Sequence, residues 1–279
     1  MIEFSGTGIL LDIEGTTSSI DFIKDTMFPF VRKELDTYLR VNWDSEELNE
    51  ALELIAKDRR SQSFAEWCGG QSDKDKLQKL VRDEVIKLMD EDAKERGLKQ
   101  LQGLIWKPGF KNKEIIAHVY DDVFPALQDW QNAGCDLRTY SSGSSDAAKL
   151  FFGHTRVGDM LYFFNNHHYD TTIGLKKETE SYRKIAENFH VSPNKILFVS
   201  DVPEELDAAS KAGLTVALCK RPDNRNVPKE HGYPEITSFE QIEVRRMAPS
   251  PIRPNPSPTV SVSSAYSQPK TFIRTRSRA

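Results

Sequence analysis

Two carboxylates, Asp12 and Glu14, stand one residue apart where the apolar run Ile9-Leu10-Leu11 gives out before Gly15-Thr16. Three apolar residues bounded by a Gly-Thr pair predict a short buried strand. Residues two apart on a strand point the same way, so both acids face one place if the strand persists to Glu14. A carboxylate at a strand end can act as a nucleophile, hold a cation or do acid-base work. The same pair also suits a cap or a turn.

Three further stretches carry chemistry. Leu137–Tyr140 runs into Ser141-Ser142-Gly143-Ser144 just before a helical pattern. Hydroxyls and free N–H groups at a helix start make an anion site, with Ser144 or Ser145 as the cap. Lys176 stands just ahead of another helical pattern, and Ile196–Val199 ends in Ser200-Asp201. Glu204 and Glu205 follow in a first helical turn, where acids are ordinary partners of the helix dipole. Acids at 12, 14 and 201 with carbonyls and waters suit Mg²⁺. Hydroxyls at 141 and 142 and the lysine at 176 suit a phosphate. A nucleophilic aspartate beside both means phosphoryl transfer.

The elements that must position these residues divide the chain. After Thr17 the pattern turns helical. Ile20 to Tyr38 has helical spacing with a kink at Pro29, and Asp44 is placed to cap a helix holding Leu48, Leu52 and Ile55. Ser63 to Ser72 reads as loop. Asp73 to Arg96 is strongly amphipathic with Gly97 as its stop, and a short helix with Leu98, Leu101 and Trp106 ends at Pro108-Gly109. From Asp121 strands and helices alternate: helices over Val123–Ala133, Asp146–Phe152, Glu178–Phe189 and Pro203–Ala212, with strands Leu137–Tyr140, Ile196–Val199 and Val216–Leu218 among them. Alternation implies βαβ units and a parallel sheet. The expected architecture is therefore an α/β core of residues 1–17 plus 121–247, with 18–120 as an inserted helical cap. Beyond Met247, Pro249, Pro251, Pro254, Pro256 and Pro258, with Ser, Thr and Arg between them, predict a disordered tail over 248–279.

Composition bounds the function. The 279 residues are 38% hydrophobic and 29% charged, which suits a soluble globular protein. No apolar run approaches the roughly 20 residues of a membrane helix, and a core strand almost at the start leaves no room for a signal peptide. Five of the 38 basic residues and none of the 42 acidic ones lie from Ala248 onward, so the net charge of −4 hides a body at −9. An acidic body argues against non-specific nucleic-acid binding. Cys68, Cys135 and Cys219 are scattered without a CxxC pair, so neither a zinc site nor a disulfide framework is indicated. The expectation is a monomer in the cytoplasm, with the nucleus open as well in a eukaryotic cell, and no membrane or nucleic-acid partner.

The set of motifs resembles the haloacid-dehalogenase-like phosphatases. Asp12-x-Glu14-Gly15-Thr16 looks like their first motif, and Ser141, Lys176 and Asp201 fall where the second, third and fourth belong. The second acid of the first motif is usually Asp in that superfamily, and Glu14 departs from it. Leu10–Thr17, Leu98–Gly103 with Trp106, Tyr140–Ser144, Lys149–His154 and Glu180–Ala186 together resemble the enolase-phosphatases of methionine salvage, over about residues 8 to 240.

That resemblance implies a Rossmann-like Mg²⁺-dependent enzyme, with one ion per subunit, acting on a small phosphorylated diketone. 2,3-Diketo-5-methylthiopentyl-1-phosphate would be enolised and then dephosphorylated to the acireductone 1,2-dihydroxy-3-keto-5-methylthiopentene. Asp12 would attack phosphorus. Glu14 would protonate the leaving oxygen and then activate water. Asp12, Asp201 and residue 14, the last through its side chain or its backbone carbonyl, would hold Mg²⁺. Ser141 and Ser142 would bind phosphate or substrate oxygens, and Lys176 would neutralise charge in the transition state. The helical block would close over the site, with Trp106 and Lys107 on its inner surface or Trp106 simply packed. The base for enolisation is not evident. Two other readings stay open: a related phosphatase for a sugar phosphate or nucleotide, which would not need the stretch around Leu101–Trp106, and a phospho-accepting receiver domain, which needs no cap.

Overall fold

The structure is a computed structural model that describes residues 1–227 and 231–245; the tail expected over 248–279 lies outside them. Strand β1 (Ile2–Phe4) leads into β2 (Gly8–Leu11), the apolar run of the first motif. Six helices follow: α1 (Ile20–Phe22), α2 (Phe28–Asn42), α3 (Glu46–Asp58), α4 (Phe64–Trp67), α5 (Lys74–Asp90) and α6 (Arg96–Lys111). The rest alternates: α7 (Val123–Asn132), β3 (Asp136–Tyr140), α8 (Ser145–Gly153), β4 (His168–Tyr169), α9 (Thr179–Phe189), β5 (Ile196–Ser200), α10 (Pro203–Lys211), β6 (Thr215–Cys219), β7 (Glu235–Ile236) and β8 (Ile242–Val244).

Six strands form one parallel sheet in the order β4-β3-β2-β5-β6-β7, while β1 and β8 pair separately, also parallel. Leu11 lies level with Thr139 on one side and Val199 on the other. One residue further on, Asp12 is level with Tyr140 and Ser200, so Ser141 and Asp201 follow at the same end of the sheet. Alternation along the strands feeds two cores. Ile9, Leu11, Leu137 and Val199 join the apolar faces of α2, α3, α5, α6 and α7, whereas Leu10, Tyr140 and Phe198 pack with α9 and α10. Among the described residues no helix is long and apolar enough to cross a membrane.

Several local expectations are corrected. Strand β2 ends at Leu11, so strand alternation does not aim Asp12 and Glu14 together; the chain turns sharply instead, with Thr17 N and Ser18 N both donating to the Ile13 carbonyl at 3.0 and 2.9 Å. The break in the first helical stretch is a π-helical turn over Ile23–Met27, and Pro29 sits in the first turn of α2, where its missing N–H costs nothing. Ser45, not Asp44, caps α3, with Leu48 N donating to its Oγ at 3.3 Å; Asp44 pairs with Lys74. The stretch read as loop contains α4, capped by Ser63. Helix α5 stops at Asp90, and Gly97 starts α6 rather than ending anything. A Cβ on Gly97 would collide with the backbone of Ile55, so the glycine lets α6 cross close to α3. Pro108 lies within α6, which runs on to bury Phe110 completely.

Candidate active site

Asp12 is 4% exposed and held from three sides. Its Oδ1 accepts from Lys176 Nζ at 2.6 Å and from Ile13 N at 2.7 Å, and Ser200 Oγ lies 3.3 Å from Oδ2. The same Lys176 ammonium reaches Glu205 Oε2 at 2.7 Å, which also accepts from Ser200 Oγ at 2.9 Å. Burial alone would push the Lys176 ammonium down, but Asp12 and Glu205 overcome it and hold it above its ordinary value.

Lys176 is aimed by a pinned loop. Tyr140 Oη donates to the Gly174 carbonyl at 2.7 Å, Ser181 Oγ to Leu175 O at 2.8 Å and Tyr182 Oη to Lys176 O at 2.7 Å. Three consecutive carbonyls are thus fixed by side chains, two of them from α9. Gly174 has φ +147°, a conformation open to glycine.

Asp201 sits against Gly15. Gly15 has φ +74°, and a Cβ there would stand 2.5 Å from Asp201 Oδ2, so only glycine lets the turn after β2 approach the carboxylate. Burial, and then the charges of Asp12 and Glu205, push the Asp201 carboxyl well above the usual carboxylate range. Burial pushes Glu205 up too, with Lys176 opposing. Three acids around one lysine leave an excess of buried negative charge, which a divalent cation would relieve.

The turn from Ile13 to Ser18 is tied down with one exception. Ile13 O accepts from the turn's own amides, Gly15 O from Asn224 Nδ2 at 2.9 Å, Thr16 O from Arg221 Nε at 2.9 Å, Thr17 O from Tyr120 N at 3.1 Å and Ser18 O from Gly15 N at 2.7 Å. Among the described residues nothing donates to the Glu14 carbonyl. Nor do any three histidine, cysteine or acidic side chains among them converge tightly enough to enclose an ion alone. The donor set that fits Mg²⁺ is therefore two carboxylates, Asp12 and Asp201, the free Glu14 carbonyl and water, which this ion keeps readily.

The Glu14 side chain lines a narrow cavity with Ser141, Ser142 and Gly143 on one wall and Ile23, Met27, Phe28 and Trp106 on another. Burial, then the charge of Asp12, pushes its carboxyl above the ordinary range. Ser141 is buried and accepts from Gly143 N at 3.0 Å; Ser144 caps α8, with Ala147 N donating to its Oγ at 3.1 Å. Trp106 is packed and also lines the cavity, its Nε1 donating to Met27 O at 2.9 Å, while Lys107 lines only a wider outer groove of about 850 Å³.

Residues 7–213 match the hydrolase family described as haloacid dehalogenase-like hydrolase. The chain is 41% identical over 246 residues to enolase-phosphatase E1 of Anopheles gambiae, covering 85% of this chain and 82% of that one. It is 38% identical to enolase-phosphatase E1 of Aquifex aeolicus, covering 85% and 98%. The chain belongs to the enolase-phosphatases, within the haloacid dehalogenase-like hydrolases. The solved structure of the UTR4 protein of Saccharomyces cerevisiae superposes with a TM-score of 0.69 at 29% identity, over 85% of this chain and all of that one.

In this enolase-phosphatase Asp12, Lys176 and Asp201, predicted from sequence, meet at one end of the sheet, and Glu14, Ser141 and Ser142 line the cavity beside them. Two participants escaped the sequence reading. Glu205 looks like a helix-dipole acid, yet it is 7% exposed and bonded to Lys176, whereas its neighbour Glu204 is exposed. Arg221 is the other: it is buried, pairs with Asp122 at 3.0 Å and holds the Thr16 carbonyl.

Proposed function

We propose that this chain carries out two consecutive reactions at one site, enolising 2,3-diketo-5-methylthiopentyl-1-phosphate and then releasing its phosphate to give the acireductone. Its membership of the enolase-phosphatases supports the substrate. The observation that carries the mechanism is a carboxylate pinned by a buried lysine, Asp12, beside a cavity whose wall bears a second acid, Glu14.

In this reading Asp12 attacks phosphorus and becomes an aspartyl-phosphate. Its Oδ1 is engaged by Lys176 and Ile13 N, whereas Oδ2 has only Ser200 Oγ at 3.3 Å, so Oδ2 is the attacking oxygen. Glu14, whose carboxyl burial and then Asp12 push above the ordinary range, gives a proton to the leaving oxygen and then takes one from water. Ser141 and the amides of its loop receive the phosphate oxygens, and Lys176 offsets their charge in a dry site. Asp12, Asp201 and the Glu14 carbonyl would hold Mg²⁺, which would supply charge neutralisation at phosphorus and Lewis acidity at a substrate carbonyl. Ile23, Met27, Phe28 and Trp106 offer apolar surface for the thioether tail. The helical block 18–120 serves as a cap that keeps water from the aspartyl-phosphate.

The test is to supply the diketo-phosphate with Mg²⁺ and follow acireductone and phosphate together. Equal amounts of the two are expected, with sugar phosphates and nucleotides turned over far more slowly. Phosphate release from sugar phosphates alone would refute the reading.

A further inference from the structure

Lys99 stands in the first turn of α6, the end of a helix where a cation is least welcome. A lysine on a helix surface ordinarily carries its ammonium out to water. This one turns to the core instead: Nζ donates to the Ser142 carbonyl at 2.8 Å and the side chain is half-buried. Among the described residues it forms no ion pair. Its charged surroundings come from three places: Lys94 from the turn ahead of α6, Glu14 from the turn after β2 and Asp170 from the loop after β4. Lys94 is itself paired with Asp92 at 2.7 Å. Lys99 lines both the narrow cavity beside Glu14 and the wide groove, which share Gly143 and Ser144 as well.

We propose that Lys99 is the base of enolisation, taking a proton from C1 of the bound diketone phosphate and returning it to the oxygen on C2. The inference rests on the enolase-phosphatase reading. The C1–H bond breaks and its electron pair becomes the C1=C2 bond. The carbonyl π pair moves to the C2 oxygen, which takes the proton back from Nζ. Nothing is oxidised or reduced, and the amine ends as it began.

The alternatives in the site are committed elsewhere. Lys176 is held as an ammonium by two carboxylates, and Glu14 is assigned to the leaving oxygen in the second reaction. Lys99 has one carbonyl and no carboxylate to retain its proton, while burial, then Lys94, pushes its ammonium below the ordinary lysine range against Asp170 and Glu14. Its anchor on Ser142 places the amine next to the loop proposed to receive the phosphate, and C1 is the carbon that bears that phosphate.

Lys99→Ala and Lys99→Arg test this in the full chain with Mg²⁺, with circular dichroism melts confirming that both variants fold. Arginine keeps the charge and the donors but cannot lose a proton. Both variants should form acireductone about 10²–10⁴-fold more slowly, the usual worth of a positioned base. In both, C1-dideuterated substrate should react more slowly still. Trimethylamine, which cannot form an imine with the diketone, should restore at least about tenfold in Lys99→Ala by supplying the missing base. The wild-type rate should rise with pH and the variants' should not. Lys99→Arg within about threefold of wild type would overturn the proposal, because a charge alone would then suffice. So would a loss in Lys99→Ala without an isotope effect or amine rescue. Failure of the underlying reading looks different: wild-type protein would form no acireductone at all.

Discussion

Lys176 and Lys99 differ in what surrounds their ammonium groups. Lys176 comes from the sheet end, is 8% exposed, and lies between Asp12 and Glu205 at 2.6 and 2.7 Å. Lys99 comes from the first helix turn of α6, is half-buried, and touches a backbone carbonyl. Burial disfavours both ammonium groups, but only Lys176 has carboxylates to reverse it. One residue type therefore serves two chemistries: a fixed cation that can offset phosphoryl charge, and a base that can lose and regain a proton. The counter-charge, not the residue, decides which.

The largest effect should come from breaking the paired lysine. Lys176→Met leaves Asp12 and Glu205 buried without their cation. It should cost about 3–5 kcal/mol in denaturant unfolding and about 10²–10³ in phosphate release. Lys99→Arg should leave the unfolding midpoint nearly unchanged. Equal stability of the two variants would erase the distinction.

A smaller effect should follow at the acid that faces the turn. Gly15→Ala forces a non-glycine residue to φ +74° and sets its Cβ against Asp201. About 1–3 kcal/mol of strain is expected, and the Mg²⁺ needed for half-maximal turnover should rise. An unchanged Mg²⁺ requirement would mean that the Asp201 position is not set by this contact.

The smallest effect sharpens the rule itself. His168 is another cation former buried without a counter-charge, its Nδ1 2.8 Å from Thr139 Oγ1, and burial pushes it down to about 4 from 6.5. The folded state keeps this ring neutral while the unfolded chain protonates it. Its contribution to stability is therefore whole above 6.5 and is lost as the pH falls towards 4. Urea melts at pH 7.5 and 5 should differ by roughly 2 kcal/mol from this group, and His168→Asn should remove that share of the difference.

The four central strands and the helices from α7 onward were legible in sequence because their apolar residues recur at fixed periods and glycines end them. Strands β1, β4, β7 and β8 were not, since two or three residues carry no period. Gly97 misled because a glycine after a helical pattern usually ends a helix, whereas here it serves a close helix crossing that only tertiary structure reveals. Asp12, Glu14, Ser141, Ser142, Lys176 and Asp201 stood out as polar residues at or near strand ends. Glu205 and Lys99 did not: an acid or a lysine in a first helical turn looks solvated until burial and partners are known. The free Glu14 carbonyl is a property of the backbone, invisible in residue types.

Separate residues of one site are expected to carry the two reactions. Glu14→Gln keeps the side chain's size and the backbone carbonyl but removes the proton the leaving oxygen needs. Proton NMR of the diketo-phosphate in deuterated water, run beside a phosphate assay, tests the claim directly. Phosphate release should fall about 10²–10⁴-fold while exchange at C1 continues and an enol-phosphate accumulates. Loss of both signals together, with Mg²⁺ still bound, would contradict the account and move the enolisation proton to Glu14.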